Sequence, residues 1–133
     1  MRHGNIKADV EREKIVFGES IDWEESSGGV VRFRRLEAET GEQLIDDGYL
    51  NPEERQNYAP SAGEIVAFAL EHGGFVDGYM VHPERPDARI SLVGLAIPSK
   101  HCDVGTVAAF ANRFRHADEF TADAEHGCSA WFD

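Results

Sequence analysis

Lysine is scarce in this chain, which has three lysines among 13 basic residues, against 25 acidic residues and a formal net charge of −12 at pH 7. This shortage of positive charge argues against nonspecific binding to nucleic acid, which requires a basic face. Residues 1–60 hold 14 acids and 8 bases, and residues 61–133 hold 11 and 5, so each part carries −6. An even acidic coat with few lysines is typical of proteins from salt-rich cytoplasm, where screening removes the like-charge repulsion.

Long apolar runs and a cysteine framework are also missing. No stretch approaches the roughly 20 apolar residues of a membrane span, and residues 1–4 lead into no apolar signal segment. We therefore expect a cytoplasmic protein that makes no membrane contact. The only two cysteines are Cys102 and Cys128, and a cytosolic environment keeps such thiols reduced. A disulfide between them is the disfavoured alternative.

Signature motifs of common enzyme classes are absent. The chain has no glycine-rich phosphate loop, no P-loop, no H-E-x-x-H motif and no G-x-S-x-G turn. These absences remove the usual grounds for assigning an enzyme, and we expect a non-catalytic protein that needs no cofactor.

The chain does have enough apolar residues for a core, since 41% of its 133 residues are hydrophobic. A chain of this length fits one domain and buries roughly two-thirds of its unfolded surface. We predict a single α+β domain over residues 1–133, with a ββα-like N-terminal part over 1–60 and two helix-plus-hairpin units over 61–133.

A weak internal repeat defines the two units. The segment GEIVAFA at 63–69 matches GTVAAFA at 105–111, 42 residues later. Both place apolar residues at the spacing of an amphipathic helix, so Phe68 and Phe110 are predicted to be equivalent core anchors. The match has two explanations, a duplicated αββ unit or a shared packing demand without common ancestry.

Capping residues mark the ends of both predicted helices. Ser61 and Glu64 form a capping box at the start of the first helix, and Asp103 is the expected N-cap of the second. Gly73 and Gly74 end the first helix, because glycine adopts the left-handed conformation that closes helices.

Strands are predicted after each helix. The runs 75–82 and 88–97 read as a hairpin joined by a proline-rich loop, and 119–123 with 129–132 read as a shorter pair. The nearly continuous apolar run at 90–95 indicates a central strand.

The N-terminal part is predicted to contain further strands at 14–18 and 29–36, a short helix at 42–47 and the start of another helix at 51–54. The resulting fold is a mostly antiparallel sheet of about six strands with two main helices on one face.

Two His–Cys pairs form a candidate metal site, namely His101 with Cys102 and His126 with Cys128. Cysteine and imidazole are preferred zinc ligands. Adjacent His–Cys residues chelate poorly and the C-x-x-C spacing is absent, so packing of the cysteines as small hydrophobes is the favoured interpretation.

Arg32, Arg34 and Arg35 form the only basic cluster. On a strand Arg32 and Arg34 share one face, and Arg35 is expected on the other. An arginine pair in fixed geometry can bind a carboxylate or phosphate. The favoured alternative is cross-strand pairing with the acids of residues 37–42.

A second candidate ligand site lies on the proline-stiffened loop 82–89, where His82 and Arg85 concentrate titratable groups. At the C-terminal end, Trp131 and Phe132 are candidate interface residues. Neighbouring strand residues point to opposite faces, so one ring should enter the core while the other meets the opposite sheet face or a partner.

Three functions are consistent with these features. The leading hypothesis is a protein-interaction or self-associating domain adapted to high salt. The second is a nucleic-acid mimic, suggested by an acidic run without a base before Arg55. The third is a small ligand-binding or enzymatic domain that uses the arginine strand or the loop with His82. The acidic run behind the second hypothesis consists of Glu37, Glu39, Glu42, Asp46, Asp47, Glu53 and Glu54.

Overall fold

A computed structural model describes residues 7–26, 28–55 and 59–132 of the chain. The helices are α1 (Glu11–Phe17), α2 (Ala38–Asp46), α3 (Ala62–Glu71) and α4 (Val104–Phe114). The strands are β1 (Val30–Glu37), β2 (Phe75–Val81), β3 (Ile90–Ile97), β4 (Glu119–Asp123) and β5 (Gly127–Trp131). Short 3-10 turns cover Trp23–Glu25 and Ser99–His101.

The strands form one antiparallel sheet in the order β1-β2-β3-β5-β4. The α+β prediction is confirmed, with five strands in the described residues where about six were expected. The helix–strand–strand order occurs twice, first as α3-β2-β3 and then as α4-β4-β5. Strand β3 is central, and seven of its eight residues are buried, as its apolar run predicted.

The core lies between the sheet and the helices. Val76 and Leu95 are fully buried on neighbouring strands and are paired across the β2–β3 ladder. Phe68 of α3 and Phe110 of α4 are both buried. All four helices contribute residues to this one core cluster together with the buried side of the strands, so the other side of the sheet has no helical layer in the described chain.

Both predicted helix starts are confirmed. Ser61 accepts a hydrogen bond from the backbone N–H of Glu64, whose carboxylate accepts in return from the Ser61 backbone N–H. Asp103 accepts from the Thr106 N–H at 2.7 Å. Gly73, with a φ of 68°, follows the end of α3 in the left-handed conformation that glycine tolerates.

The strand predicted at 14–18 is wrong, because this segment belongs to α1. Gly18 closes α1 in the left-handed conformation and donates its N–H to Lys14 O at 2.9 Å. Arg12 is completely buried, and its Nη2 donates to Val81 O. The β-branched residues after Lys14, Ile15 and Val16, favour a strand locally. Docking of the helix on the sheet outweighs this local preference.

Two smaller N-terminal predictions need correction. The short helix expected at 42–47 is α2, which begins earlier, at Ala38. Residues 51–54 form a turn, in which Asn51 accepts the Glu53 and Glu54 N–H groups through its side chain and backbone respectively, and no helix begins within residues 51–55.

Candidate binding face

The side of the sheet opposite the helices carries arginines interleaved with aromatic rings, which we call the arginine–aromatic face. Its positions follow from strand alternation: Val76 and Met80 of β2 are buried, so the half-buried residues between and beside them point outward. Members of the face are Arg32, Arg34, Arg35, Phe75, Tyr79, Arg89 and Trp131.

Trp131 lies against two of these arginines. The Cζ atoms of Arg32 and Arg34 lie 5.4 Å and 5.2 Å from the centre of its ring. Both arginines belong to β1, whereas Trp131 belongs to β5, so their side chains reach across the two strands that separate them. A guanidinium over an aromatic ring gains cation–π attraction and keeps its in-plane N–H donors available for an oxyanion.

A bulge in β1 places Arg35 on the same face, which corrects the expectation that it lies on the opposite side of the strand from Arg32 and Arg34. The β1–β2 register shifts between Phe33 and Leu36, and Arg35 has a φ of 55°. Its N–H donates to Asp77 Oδ1 at 2.8 Å, and its guanidinium lies 4.6 Å from the Phe75 ring. Bulges redirect side chains in this way because one strand carries an extra residue.

Arg89 completes the face at the start of β3. It donates to the Tyr79 hydroxyl at 2.8 Å and to Ser91 Oγ at 2.9 Å, and it pairs with Glu54 at 3.4 Å. Partial burial lowers the pKa of Arg89, but Tyr79, Glu54 and Asp87 together raise it above its ordinary value. The guanidinium of Arg89 is thus already paired and hydrogen-bonded within the protein.

The arginines of β1 differ from Arg89, because none of the three forms an ion pair within residues 7–26, 28–55 and 59–132. The cross-strand pairing with the acids of residues 37–42 that the sequence favoured is therefore not seen in the part of the chain that the structure describes. Beside Arg34 lies an open depression of about 340 Å³. Its lining residues are Arg34, Asp77, Glu119, Ser129, Ala130 and Trp131.

The two C-terminal aromatics point to opposite sides, as strand alternation predicted. Phe132 is buried and its ring lies 6.4 Å from that of Phe114 on α4. Trp131 remains half-buried on the arginine–aromatic face. Its assignment as an interface residue stays a prediction.

The loop with His82 and Arg85 uses its polar groups to hold its own shape. His82 Nδ1 accepts from the Glu84 N–H at 3.0 Å, and its ring lies 5.0 Å from that of Trp23. Arg85 binds Asp87 through two hydrogen bonds, of 2.9 Å and 2.8 Å, and donates to Gly28 O at 3.0 Å. These contacts tie the loop to the turn before β1 and leave the guanidinium of Arg85 already paired.

Of the four predicted metal ligands, the structure brings the two cysteines together. Their Sγ atoms are 3.5 Å apart. The Nδ1 atom of the exposed His126 instead lies 2.9 Å from Asp123 Oδ2. The ring of His101 lies against Gly73. Among the described residues, no three His, Cys, Asp or Glu side chains are grouped closely enough to hold a metal ion.

The acidic run is exposed along α2 and the turn that follows it, except that Glu54 is partly buried. Glu39, Glu42 and Asp46 fall on one helical face by their spacing. The even distribution of charge over the chain does not single out this run as a site.

Phe75, Tyr79 and Arg89 are members of the face that the sequence did not predict. The available signal was that Phe75, Asp77 and Tyr79 alternate with Val76, Gly78 and Met80 along β2. Side chains at every second position of a strand share one side of the sheet. Their closeness to β1 depended on a pairing register that the sequence does not display.

No helix in the described ranges is long and apolar enough to cross a membrane. Comparisons with protein-family models, curated proteins and solved structures give no match to this chain.

Proposed function

We propose that this protein is a non-catalytic binding domain whose arginine–aromatic face holds an acidic segment of a partner protein. The observation that carries the proposal is the placement of Arg32 and Arg34 against one indole ring, that of Trp131, with no ion pair from the described chain. Acids outnumber bases 25 to 13 in this protein. Cations that gather on one surface without using those acids favour an external anion.

The spacing of the two arginines suits an extended peptide. Arg32 and Arg34 are two residues apart on β1, which corresponds to roughly 6.6 Å along a strand. Alternate residues of an extended partner segment have the same spacing, so two of its carboxylates would each meet one guanidinium. Each guanidinium is held by its ring contact and offers planar N–H pairs that match a carboxylate.

The surroundings of Arg34 favour a protein segment over a nucleic acid. Asp77 and Glu119 line the depression next to Arg34 and repel a continuous polyanion. The net charge of −12 acts in the same direction at longer range. A segment that alternates acidic with neutral or basic residues satisfies the arginines and tolerates the two carboxylates.

The acidic coat is proposed to keep this domain soluble in a salt-rich cytoplasm. Binding on the arginine–aromatic face would then depend on stacking and bidentate hydrogen bonds more than on long-range attraction, because the Debye length is only about 3 Å at 1 M salt.

A peptide-binding measurement tests the proposal. The probe is a fluorescein-labelled peptide with glutamate at alternate positions, and the readout is fluorescence anisotropy. We expect the double substitution Arg32→Gln and Arg34→Gln to weaken binding by about a hundredfold or more, since it removes a hydrogen bond to a charged group at each arginine and each such bond contributes about 1.5–3 kcal/mol. The matched control is Arg113→Gln with Arg115→Gln, two exposed arginines at the end of α4. It makes the same charge change and should leave affinity within about twofold.

Three results would contradict the proposal. Equal losses in the β1 and α4 double variants would reduce the effect to net charge. Equal or tighter binding of a single-stranded oligonucleotide would point to phosphate recognition. A concentration-dependent dimer in solution that the Arg32 and Arg34 substitutions dissociate would make a second copy of the chain the occupant.

A further inference from the structure

Cys102 and Cys128 lie in direct contact inside the core. Their Sγ atoms are 3.5 Å apart, and the two residues are 3% and 2% exposed. Cys102 follows the 3-10 turn that precedes α4, while Cys128 lies on β5. Both thiols are free.

The backbone explains why the thiols meet. Cys128 is paired with Ile97 across the β3–β5 ladder. Cys102 lies five residues beyond Ile97 and reaches the Ile97 carbonyl oxygen with its Sγ at 3.4 Å. Both cysteines are therefore positioned by the same end of the central strand. A disulfide has an S–S length near 2.05 Å, so bonding requires an approach of about 1.5 Å.

We propose that this pair is an oxidative modification site, at which a small hydroperoxide converts the two thiols into an intramolecular disulfide. Neither cysteine belongs to the arginine–aromatic face, so this site is independent of the proposed peptide binding. The observation that supports the proposal is the contact between two buried sulfur atoms on separate elements of the fold.

The chemistry balances in two steps. One cysteine, as its thiolate, attacks a peroxide oxygen; the O–O bond breaks and the alcohol or water leaves with the electron pair and a proton, so a sulfenic acid forms. The second sulfur then attacks the sulfenic sulfur, the S–O bond breaks and water leaves. Two thiols and one hydroperoxide thus yield one disulfide, one alcohol or water molecule, and one further water molecule.

Burial determines which oxidant fits and how fast it acts. A peroxide is small enough to reach thiols that a bulky disulfide reagent reaches only after the fold opens. Burial and the hydrogen bond with Cys102 raise the pKa of the Cys128 thiol above its ordinary value. Little thiolate forms there at neutral pH, so oxidation is slow relative to an exposed thiol, and the disulfide is equally shielded from reductants.

The disulfide has a defined structural effect. It joins the start of α4 to β5 and closes the chain between residues 102 and 128, which contains α4 and β4. A cross-link of this kind restricts the unfolded chain and stabilises the folded state when the native geometry accepts it. We expect the oxidised protein to unfold at a higher denaturant concentration than the reduced protein.

The test treats the folded protein with hydrogen peroxide and then removes the oxidant. Expected results are loss of both thiols when they are titrated after unfolding, a cross-linked pair of peptides that carry Cys102 and Cys128, and a higher unfolding midpoint that a reductant reverses. Mass is read on the cysteine peptides, because peroxide also oxidises methionine. The single variants Cys102→Ala and Cys128→Ala are controls in which the peroxide and reductant cycle should leave the midpoint unchanged.

The comparison of oxidised and reduced wild-type protein keeps the proposal testable even where a single variant fails to fold. The proposal is overturned if the folded protein is treated with peroxide and both thiols still titrate after it is unfolded, or if only disulfide-linked dimers form. It is also overturned if the internal disulfide forms but lowers the unfolding midpoint.

Discussion

The rings of Phe68 and Phe110 pack edge to face, with centroids 5.7 Å apart and an interplanar angle of 69°. Each phenylalanine is the equivalent residue of its αββ unit, so the two units meet in the core through matching positions. Phe114 joins both rings, at 5.1 Å from Phe68 and 4.9 Å from Phe110.

Truncation of either anchor should strongly destabilise the protein. We expect Phe68→Ala and Phe110→Ala each to lower the free energy of unfolding by about 3–5 kcal/mol, the range for large aromatic deletions in packed cores. Urea unfolding followed by circular dichroism measures this loss. Val104→Ala in α4 is the control, because Val104 is 81% exposed and should change stability by less than about 0.5 kcal/mol. A small effect of either phenylalanine truncation would show that the units do not share one core.

The two adjacent C-terminal aromatics should respond in opposite ways. Phe132→Ala removes a ring from the core under α4 and should cost about 3–5 kcal/mol. Trp131→Leu removes a half-buried ring from the arginine–aromatic face and should leave the fold intact while it weakens binding of the glutamate peptide. Unfolding curves and anisotropy on the same two variants separate these effects. Unchanged peptide affinity in Trp131→Leu would argue against the proposed face.

Deletion of residues 129–133 should unfold the domain. Strand β5 lies between β3 and β4, so its loss removes the only ladder partner that β4 has in the described sheet, together with buried Ala130 and Phe132. Circular dichroism and solubility of the truncated chain measure the outcome, and deletion of residue 133 alone is the control. A soluble truncated protein with wild-type ellipticity would show that β5 is dispensable.

Stability should rise with salt. Repulsion within a chain of net charge −12 opposes folding at low ionic strength, and screening removes it as the Debye length falls to about 3 Å at 1 M salt. Thermal melts in increasing KCl should show the midpoint rising into the molar range and then levelling. A flat or falling midpoint would contradict the high-salt interpretation. Sodium sulfate is unsuitable for this measurement, because it also strengthens apolar burial.

Acid should weaken the cap of α4. Hydrogen bonds from the Thr106 backbone and side chain lower the pKa of Asp103. Its contribution is therefore fully present above the unfolded-state pKa of about 3.9 and is lost as pH falls through the lowered folded-state pKa. Asn caps helices as well as Asp but does not titrate. The stability difference between the wild type and Asp103→Asn should thus shift toward the variant below about pH 4, and a pH-independent difference would refute this assignment.

Local sequence signals predicted the elements of the second half of the chain correctly. The capping box at Ser61 and the N-cap at Asp103 mark helix starts because they act over three residues. Strands β3 and β4 were found from apolar runs and turn residues that are equally local. The N-terminal helix α1 was missed, because its apolar residues fit either period and only docking of the buried Arg12 on Val81 resolves the choice.

The sequence by itself determined the charge of the surface, the αββ order and the opposite orientation of Trp131 and Phe132, since composition and side-chain periodicity are properties of the chain. Tertiary structure alone decided that Arg32 and Arg34 reach Trp131, that a bulge turns Arg35 outward, and that Cys102 meets Cys128. Each of these contacts joins residues far apart in the chain. Their distances depend on strand order and register, which arise when the whole core packs and which no local pattern records.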